Sequence, residues 1–401
     1  MKENFRLLIH HHNIAYLDRE GAIWLSSWIG RWVNSLAEYY SGIGLLLHQS
    51  LEHLPQQDTR ITNDNVHLFS LGPSGKVVDR FQRMRRIKKA CSQAGEQADG
   101  LLIRGITPRQ HTVWKSTPLE NKAFLLVGSL NNRRKLTLSP NQLLKYAFMQ
   151  HRRGEFHKMA ARGTTLLANS PGLVTELYER FGYQAQFVPT NSVCRDEFIP
   201  LEVRPVTLPW KLLYCGRLDF EKGLRELFQA VAALRDQAVQ VHLDILSSTN
   251  NAIYPQLLEL SDTLGISNDI HWHGLIPYGP ELFGFYQSAD VLVLPSYSEG
   301  FPIVIWEAAA NCCPVIATSV GGIPDLWEDG KHGLLIPPKD VDAIVKAIKL
   351  LLCDASLRSR LVANAYQHAS EFTAEECARR LACTLAEQWS ENAEVLRPPS
   401  L

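Results

Sequence analysis

Along most of the chain, short apolar runs alternate with stretches of helical spacing, and the rhythm is broken once. Strands separated by helices pair in parallel, so this alternation restricts the chain to sheets covered by helices. In the first half the apolar runs fall at 5–9, 45–48, 66–71, 101–103, 124–127 and 165–168. Helices are predicted over 22–40, 78–94, 140–150 and 172–181, the first from the spacing of Ile23, Trp24, Trp28, Trp32, Leu36 and Ala37. Pro189, Pro200, Pro205 and Pro209 then punctuate a stretch of little periodicity, as a linker does. The rhythm restarts with strands at 211–215, 241–246, 270–272, 291–294, 315–317 and 333–336. Helices are expected at 222–235, 254–265, 279–288, 302–311, 340–353 and 355–370, and an amphipathic helix at 373–390 closes the chain. The expected fold class is α/β, with two doubly wound parallel-sheet domains at 1–200 and 201–372. A cleft between two such sheets would suit two substrates.

At 401 residues, 45% hydrophobic and 20% charged, the chain has the material for two sizeable cores. Formal net charge is zero, but its distribution is uneven. The first 200 residues carry 26 Lys and Arg against 16 Asp and Glu; the rest carry 15 against 25. An anionic partner for the first half and two unlike solvated surfaces explain this equally well. The eight cysteines include no C-x-x-C pair, which excludes the usual zinc and redox motifs and suits free thiols in a reducing compartment. Neither a signal peptide nor a membrane-spanning run is visible, so a cytoplasmic protein is expected. The triplet His10-His11-His12 is too short and too internal for a purification tag.

Residues 288–307 carry the most chemistry. An apolar strand runs into Pro295-Ser296, then a polar loop, then Glu299-Gly300-Phe301-Pro302-Ile303-Val304. Pro302 suits the first turn of a helix, where its missing N–H costs nothing. The free N–H groups and positive dipole end of that turn make a site for phosphate. Glu307 follows Glu299 by eight residues; on a helix the two would lie about 12 Å apart, at ~1.5 Å per residue. That separation suits one carboxylate on a sugar hydroxyl and one on a ribose. Arg217, just after a strand in Gly216-Arg217-Leu218, and Lys222, opening the next helix, supply two cations. Asp340-Val341-Asp342 reads as the capped start of a late helix, which leaves no metal site predicted.

The pattern S-x-x-E-G-F-P-x-x-x-x-E-A, with the run 314–325, Gly330-Lys331-His332-Gly333 and Gly216-Arg217-Leu218-Asp219-Phe220-Glu221-Lys222-Gly223, resembles glycosyltransferase family 4. The resemblance covers roughly 165–390 and implies retaining enzymes of the GT-B fold. It implies that Arg217 and Lys222 grip a donor diphosphate with no metal, and that Glu299 and Glu307 hold sugar and ribose. It also implies that the loop after 270–272, with Ile276, holds the base through backbone groups, His273 being structural. The expected partners are a nucleotide-sugar donor and a sugar or lipid-linked acceptor, the acceptor on the first domain and the final helix crossing back onto it.

The first half resembles the family less. Gly21 stands where a glycine-rich loop is usual, and either approaches the ligand or is a plain turn glycine. The family's usual histidine has no counterpart at the end of strand 101–103. Arg104 stands there and His111 follows seven residues later; Arg104 is the preferred substitute, a fixed donor fork for sugar or phosphate. Arg80, Arg83, Arg85, Arg86, Lys88 and Lys89, with Arg133-Arg134-Lys135 and Arg152-Arg153, form either a solvated face or a contact with an anionic membrane. No nucleic-acid motif accompanies them. Two rivals remain at this level: a sugar-nucleotide epimerase of the same fold, and a non-catalytic partner subunit.

Overall fold

The computed structural model describes residues 5–73, 80–127, 140–206 and 208–389. The chain divides into two compact units, one taken from residues up to Ser192 together with those from Ala374 onward, the other from Val193–Thr373.

The first unit contains strands β1 (Arg6–Leu17), β2 (Ile23–Leu25), β3 (Gly42–Gln49), β4 (Thr59–Arg60), β5 (Val66–Pro73), β6 (Gly100–Arg104), β7 (Lys122–Leu126), β8 (Thr165–Ala168) and β9 (Gln186–Phe187). Its helices are α1 (Ser27–Ala37), α2 (Arg80–Gly95), α3 (Gln110–Ser116), α4 (Pro140–Ala160) and α5 (Pro171–Phe181). Seven strands pair in parallel in the order β5-β3-β1-β6-β7-β8-β9. Leu101, Leu102 and Ile103 are fully buried, as strands covered on both faces must be. Each such side chain contributes about 1.5–3 kcal/mol.

Residues 22–25 depart from the expected helix. Asp18 turns the chain there, its carboxylate accepting the N–H groups of Glu20 (3.0 Å) and Ala22 (2.8 Å) and the indole N–H of Trp24 (2.8 Å). The turn sets Ile23 and Trp24 antiparallel to Leu17 and Tyr16, so β1 runs on through the histidine triplet. The helical spacing holds only from residue 27, where α1 buries Ile29, Trp32, Val33 and Leu36. Helix α4 also runs to Ala160, beyond the expected end at 150.

The second unit contains β10 (Trp210–Cys215), β11 (Val241–Leu246), β12 (Ile270–Gly274), β13 (Val291–Leu294), β14 (Val315–Thr318) and β15 (Leu334–Ile336). Its helices are α6 (Leu224–Asp236), α7 (Tyr254–Thr263), α8 (Pro280–Ser288), α9 (Ile303–Ala310), α10 (Ile323–Leu326), α11 (Val341–Cys353) and α12 (Ala355–Ser370). All six strands are parallel, in the order β12-β11-β10-β13-β14-β15. Asp340 caps α11, accepting the N–H of Ala343 at 2.9 Å. The proline-punctuated stretch is not a bare linker. The Ile199 N–H donates to Ala310, the Tyr366 hydroxyl donates to the Ile199 carbonyl, and the Tyr278 hydroxyl donates to Glu197.

The last helix, α13 (Ala374–Gln388), returns to the first unit and packs on α1 through a stripe of Cys377, Ala378, Leu381, Ala382 and Leu385. Just beyond it, Trp389 stacks on Phe5 at 5.8 Å. All eight cysteines are free thiols. Among the described residues, no helix is long and apolar enough to cross a membrane.

Candidate functional site

In the second unit the first strand, β10, lies inside the sheet, with β11 on one side and β13 on the other. Successive strands build outward in opposite directions from it. Loops leaving the carboxyl ends of β10 and β13 therefore diverge and leave a crevice, the usual ligand site of an open parallel sheet. The loop after β10 carries Gly216 and Arg217 and is held from below, where the buried Tyr214 hydroxyl donates to the Arg217 carbonyl at 2.8 Å. Asp219 caps a short turn over Phe220–Lys222. Lys222 thus ends that turn instead of opening α6, which begins at Leu224.

The loop after β13 is clamped against this turn. The Tyr297 N–H donates to the Glu221 carbonyl at 2.7 Å. Gly223, at φ +67°, lies so close to the Pro295 carbonyl that any Cβ would collide with it. Gly321, at φ +57°, lies equally close to the Glu299 carbonyl, which accepts the Gly322 N–H at 3.3 Å. Glu299 is thereby fixed from two sides, and its carboxylate accepts from Lys222 Nζ at 2.6 Å. Both side chains are largely buried, 10% and 15% exposed. An ammonium has three donors, and Glu299 takes one of them.

Gly216, Arg217 and Ile276 line a single pocket of about 510 Å³ with Ser247, Asn251 and Leu275. Ser247 and Asn251 come from the loop after β11, which sequence reasoning missed; the signal was a Ser-Ser pair ending an apolar strand. The Ser247 hydroxyl is buried without a hydrogen-bond partner among the described residues. Glu307 lies behind this pocket. It is 7% exposed, accepts from the Tyr286 hydroxyl at 2.7 Å, and faces Cys215. Burial, together with the Glu307 charge, pushes the Cys215 thiol up to about 12. Helix α9 begins at Ile303, with Pro302 extended at the cap. Glu307 is therefore little more than one turn inside, and Glu299 lies outside the helix. A separation counted in helical rise does not apply to this pair. Phe301 stacks on the buried Trp306 at 5.1 Å, and the N–H groups of Ile303 and Val304 open the helix where no intrahelical carbonyl reaches them.

His273 shares a 2.6 Å hydrogen bond with Asp244. Among the described residues, His242, Asp244 and His271 form a group able to hold a metal, their ligand atoms within 4.8 Å of one another. His242 and His271 already share a 2.7 Å hydrogen bond. Each is the second residue of its strand, toward the end opposite the crevice.

In the first unit, Arg104 is the last residue of β6 and is 7% exposed. Its guanidinium lies over Trp28 at 4.6 Å and Trp32 at 5.2 Å, and burial lowers its pKa to about 9. His111 is on α3, not in a loop, with its ring parallel to Trp114. Gly21, at φ +86°, sits in the hairpin turn between β1 and β2, with open space around it. On α2, Arg85, Arg86, Lys88 and Lys89 are exposed around a buried Ile87. The side chains of Arg80 and Arg83 and the run 133–135 lie outside the described residues.

Residues 201–368 match the family described as Glycosyl transferases group 1. That stretch is a glycosyl transferases group 1 domain. The D-inositol 3-phosphate glycosyltransferase of Corynebacterium glutamicum (strain R) is 34% identical over 209 residues, 51% of this chain and 47% of that protein. The protein of the same name from Corynebacterium urealyticum is 36% identical over 198 residues, 48% and 45% of the two chains. The match thus spans about half the length of these relatives. Among solved structures, the sucrose-phosphate synthase of Thermosynechococcus elongatus superposes with a TM-score of 0.69 at 18% identity, over 97% of this chain and all of that one. Anabaena Alr3699/HepE in complex with UDP-glucose superposes with a TM-score of 0.69 at 17% identity, over 97% and 100%. These likenesses show the fold, which is GT-B, with the group 1 domain as its second α/β unit.

Proposed function

We propose that the chain is a retaining glycosyltransferase, which moves a sugar from a nucleotide-diphosphate donor to a hydroxyl of an acceptor. The observation that carries this reading is the clamping together of the loops after β10 and β13, which carry Arg217, the Lys222–Glu299 pair and the approach to α9, at the crevice of a group 1 domain. The second unit would hold the donor, with the base near Ile276 and the ribose side toward Glu307, and the first unit would hold the acceptor. The relatives named for inositol 3-phosphate and the neighbour bound to UDP-glucose are consistent with this division of labour.

The chemistry asks for stabilisation of a departing diphosphate. Arg217 supplies a planar donor fork, Lys222 two donors beyond the one given to Glu299, and α9 its first amide groups and dipole. Cations need least reorganisation as charge develops where a buried partner fixes them in advance, as Glu299 fixes Lys222, and there such sites gain most rate. They would do the work of a divalent metal, so transfer is expected without one. In retention, the acceptor hydroxyl attacks the anomeric carbon on the face from which the diphosphate leaves, and a phosphate oxygen takes its proton. No protein nucleophile is then required. Glu299 would fix Lys222 and bind a sugar hydroxyl. The cation excess of the first 200 residues is compatible with an acceptor displayed at an anionic membrane surface.

The test is transfer from a panel of nucleotide sugars by Lys222→Ala and Glu299→Ala. Loss of one preorganised donor should lower kcat roughly 10²–10³-fold. Near wild-type rates in both variants would remove the assignment. Activity abolished by chelators and restored by a divalent ion would remove the metal-free part.

A further inference from the structure

The first unit has its own point of strand-order reversal, between β1 and β6, and its side chains there are of unusual chemistry. In the β1/β6 register His10 pairs with Ile103, so His11 and Arg104 come at the next step. Both touch one aromatic ring. Arg104 lies over Trp28 at 4.6 Å, and His11 meets Trp28 edge-on at 5.1 Å. His12 lies against His11 at 4.0 Å.

Neighbouring histidines differ in one respect. His10 uses both ring nitrogens, Nδ1 with the Leu46 carbonyl at 2.8 Å and Nε2 with the Thr107 hydroxyl at 3.0 Å. His11 does not. Its Nδ1 accepts the Asn13 backbone N–H at 3.0 Å, so in the neutral ring the proton is on Nε2. That Nε2–H is buried and has no acceptor among the described residues. The Arg104 Nε–H is likewise buried without one. Among the described residues no carboxylate pairs with this guanidinium; it lies over two indole faces. A buried cation and a buried donor without acceptors are costly to keep, and their common complement is an anion.

We propose that the carboxyl end of β6 and the adjoining middle of β1 form an anion subsite, in which Arg104 and His11 hold a phosphate or carboxylate group carried by the acceptor. Arg104 presents its fork to two oxygens, His11 donates one further bond, and the Trp28 and Trp32 rings keep the fork in place. His10, satisfied on both sides, takes no part. Burial holds the His11 pKa well below the usual imidazole range, so His11 serves as a neutral donor and Arg104 carries the charge. Assigning the anion to the acceptor rests on the transferase reading; the subsite itself does not.

The experiment uses inorganic phosphate and the full chain, with binding followed by calorimetry and backbone protection by hydrogen exchange. Phosphate should protect residues 10–13 and 104–107 in the wild-type chain. Arg104→Gln should weaken binding roughly 10- to 100-fold, the loss of one charged hydrogen-bonding group at tenfold per 1.4 kcal/mol. His11→Phe, which keeps the ring against Trp28 but removes the donor, should weaken it by roughly threefold or more. Protection confined to 216–223 and 295–304, or equal binding by wild type and both variants, overturns the subsite. If Arg104→Gln does not fold, the wild-type protection map and His11→Phe decide the matter. In transfer assays, Arg104→Gln should raise KM for a phosphorylated sugar acceptor and leave KM for the donor unchanged. A rise in donor KM alone would assign the anion to the donor diphosphate and overturn the acceptor assignment. Protection at 10–13 and 104–107 with no transfer from any donor would uphold the subsite while the transferase reading fell.

Discussion

Identical side chains one position apart have different work in this protein, and the backbone decides which. His10 and His11 occupy opposite faces of β1, because side chains alternate along a strand. One is absorbed by hydrogen bonds within the fold, the other left with a donor to offer. The triplet was visible in the sequence, but the alternation that separates its members was not, since the strand was expected to end at Ile9. Full burial lowers the His10 pKa to about 4, against an ordinary 6.5. An unfolded chain therefore takes up a proton as pH falls through about 6.5, which the native chain refuses until about 4. The resulting stability is present above the higher value and is lost on acidification, up to about 3 kcal/mol for this residue. The urea midpoint should drop between pH 7 and about pH 4.5, and drop less in His10→Gln. An equal slope in both proteins would show that this imidazole is not the group responsible.

At the scale of elements, the decisive feature is a loop locked by what two glycines lack. Gly223→Ala and Gly321→Ala each place a methyl against a carbonyl oxygen, at Pro295 and Glu299 respectively, and in a left-handed conformation. Each should cost roughly 2–4 kcal/mol, strain of about 1–2 kcal/mol plus the displacement of a packed loop. Gly182→Ala, at φ +68° but with open space around it, should cost only the strain. Thermal unfolding of the three variants tests this ranking; equal losses would mean that conformation alone matters. The same region shows how far the sequence could be read. Apolar runs located six of the seven parallel strands of the first sheet and all six of the second, because a strand covered on both faces has little room for polar residues. The residue types of the crevice were legible too, since Arg217, Lys222 and Glu299 stand at loop positions next to glycines. The backbone at the cap of α9 was not. Pro302 stays extended, which displaced the geometry expected of Glu299 and Glu307. The 17–25 hairpin was hidden because Ile23 and Trp24 fit a helical period as well as a strand.

At the scale of the molecule, strand order could not be read from the sequence, because it depends on pairing between distant residues, and the return of the final helix to the first unit was expected only through the family resemblance. Helix α13 places Leu381 and Leu385 in the core that holds Trp32, Val33 and Leu36. Ending the chain at Thr373 should remove several kcal/mol from the first unit, at about 1.5–3 kcal/mol per buried leucine. Calorimetry should then show loss of its melting transition while that of Val193–Thr373 persists; two intact transitions would contradict this. The route of the chain also has a consequence for synthesis. A ribosome delivers the whole second unit before it delivers the last piece of the unit that began first. The segment translated in the middle can complete its fold while the amino-terminal one still waits for its closing helix, so ribosome-stalled chains ending near residue 373 should already resist protease over 193–373 and remain cleavable before it.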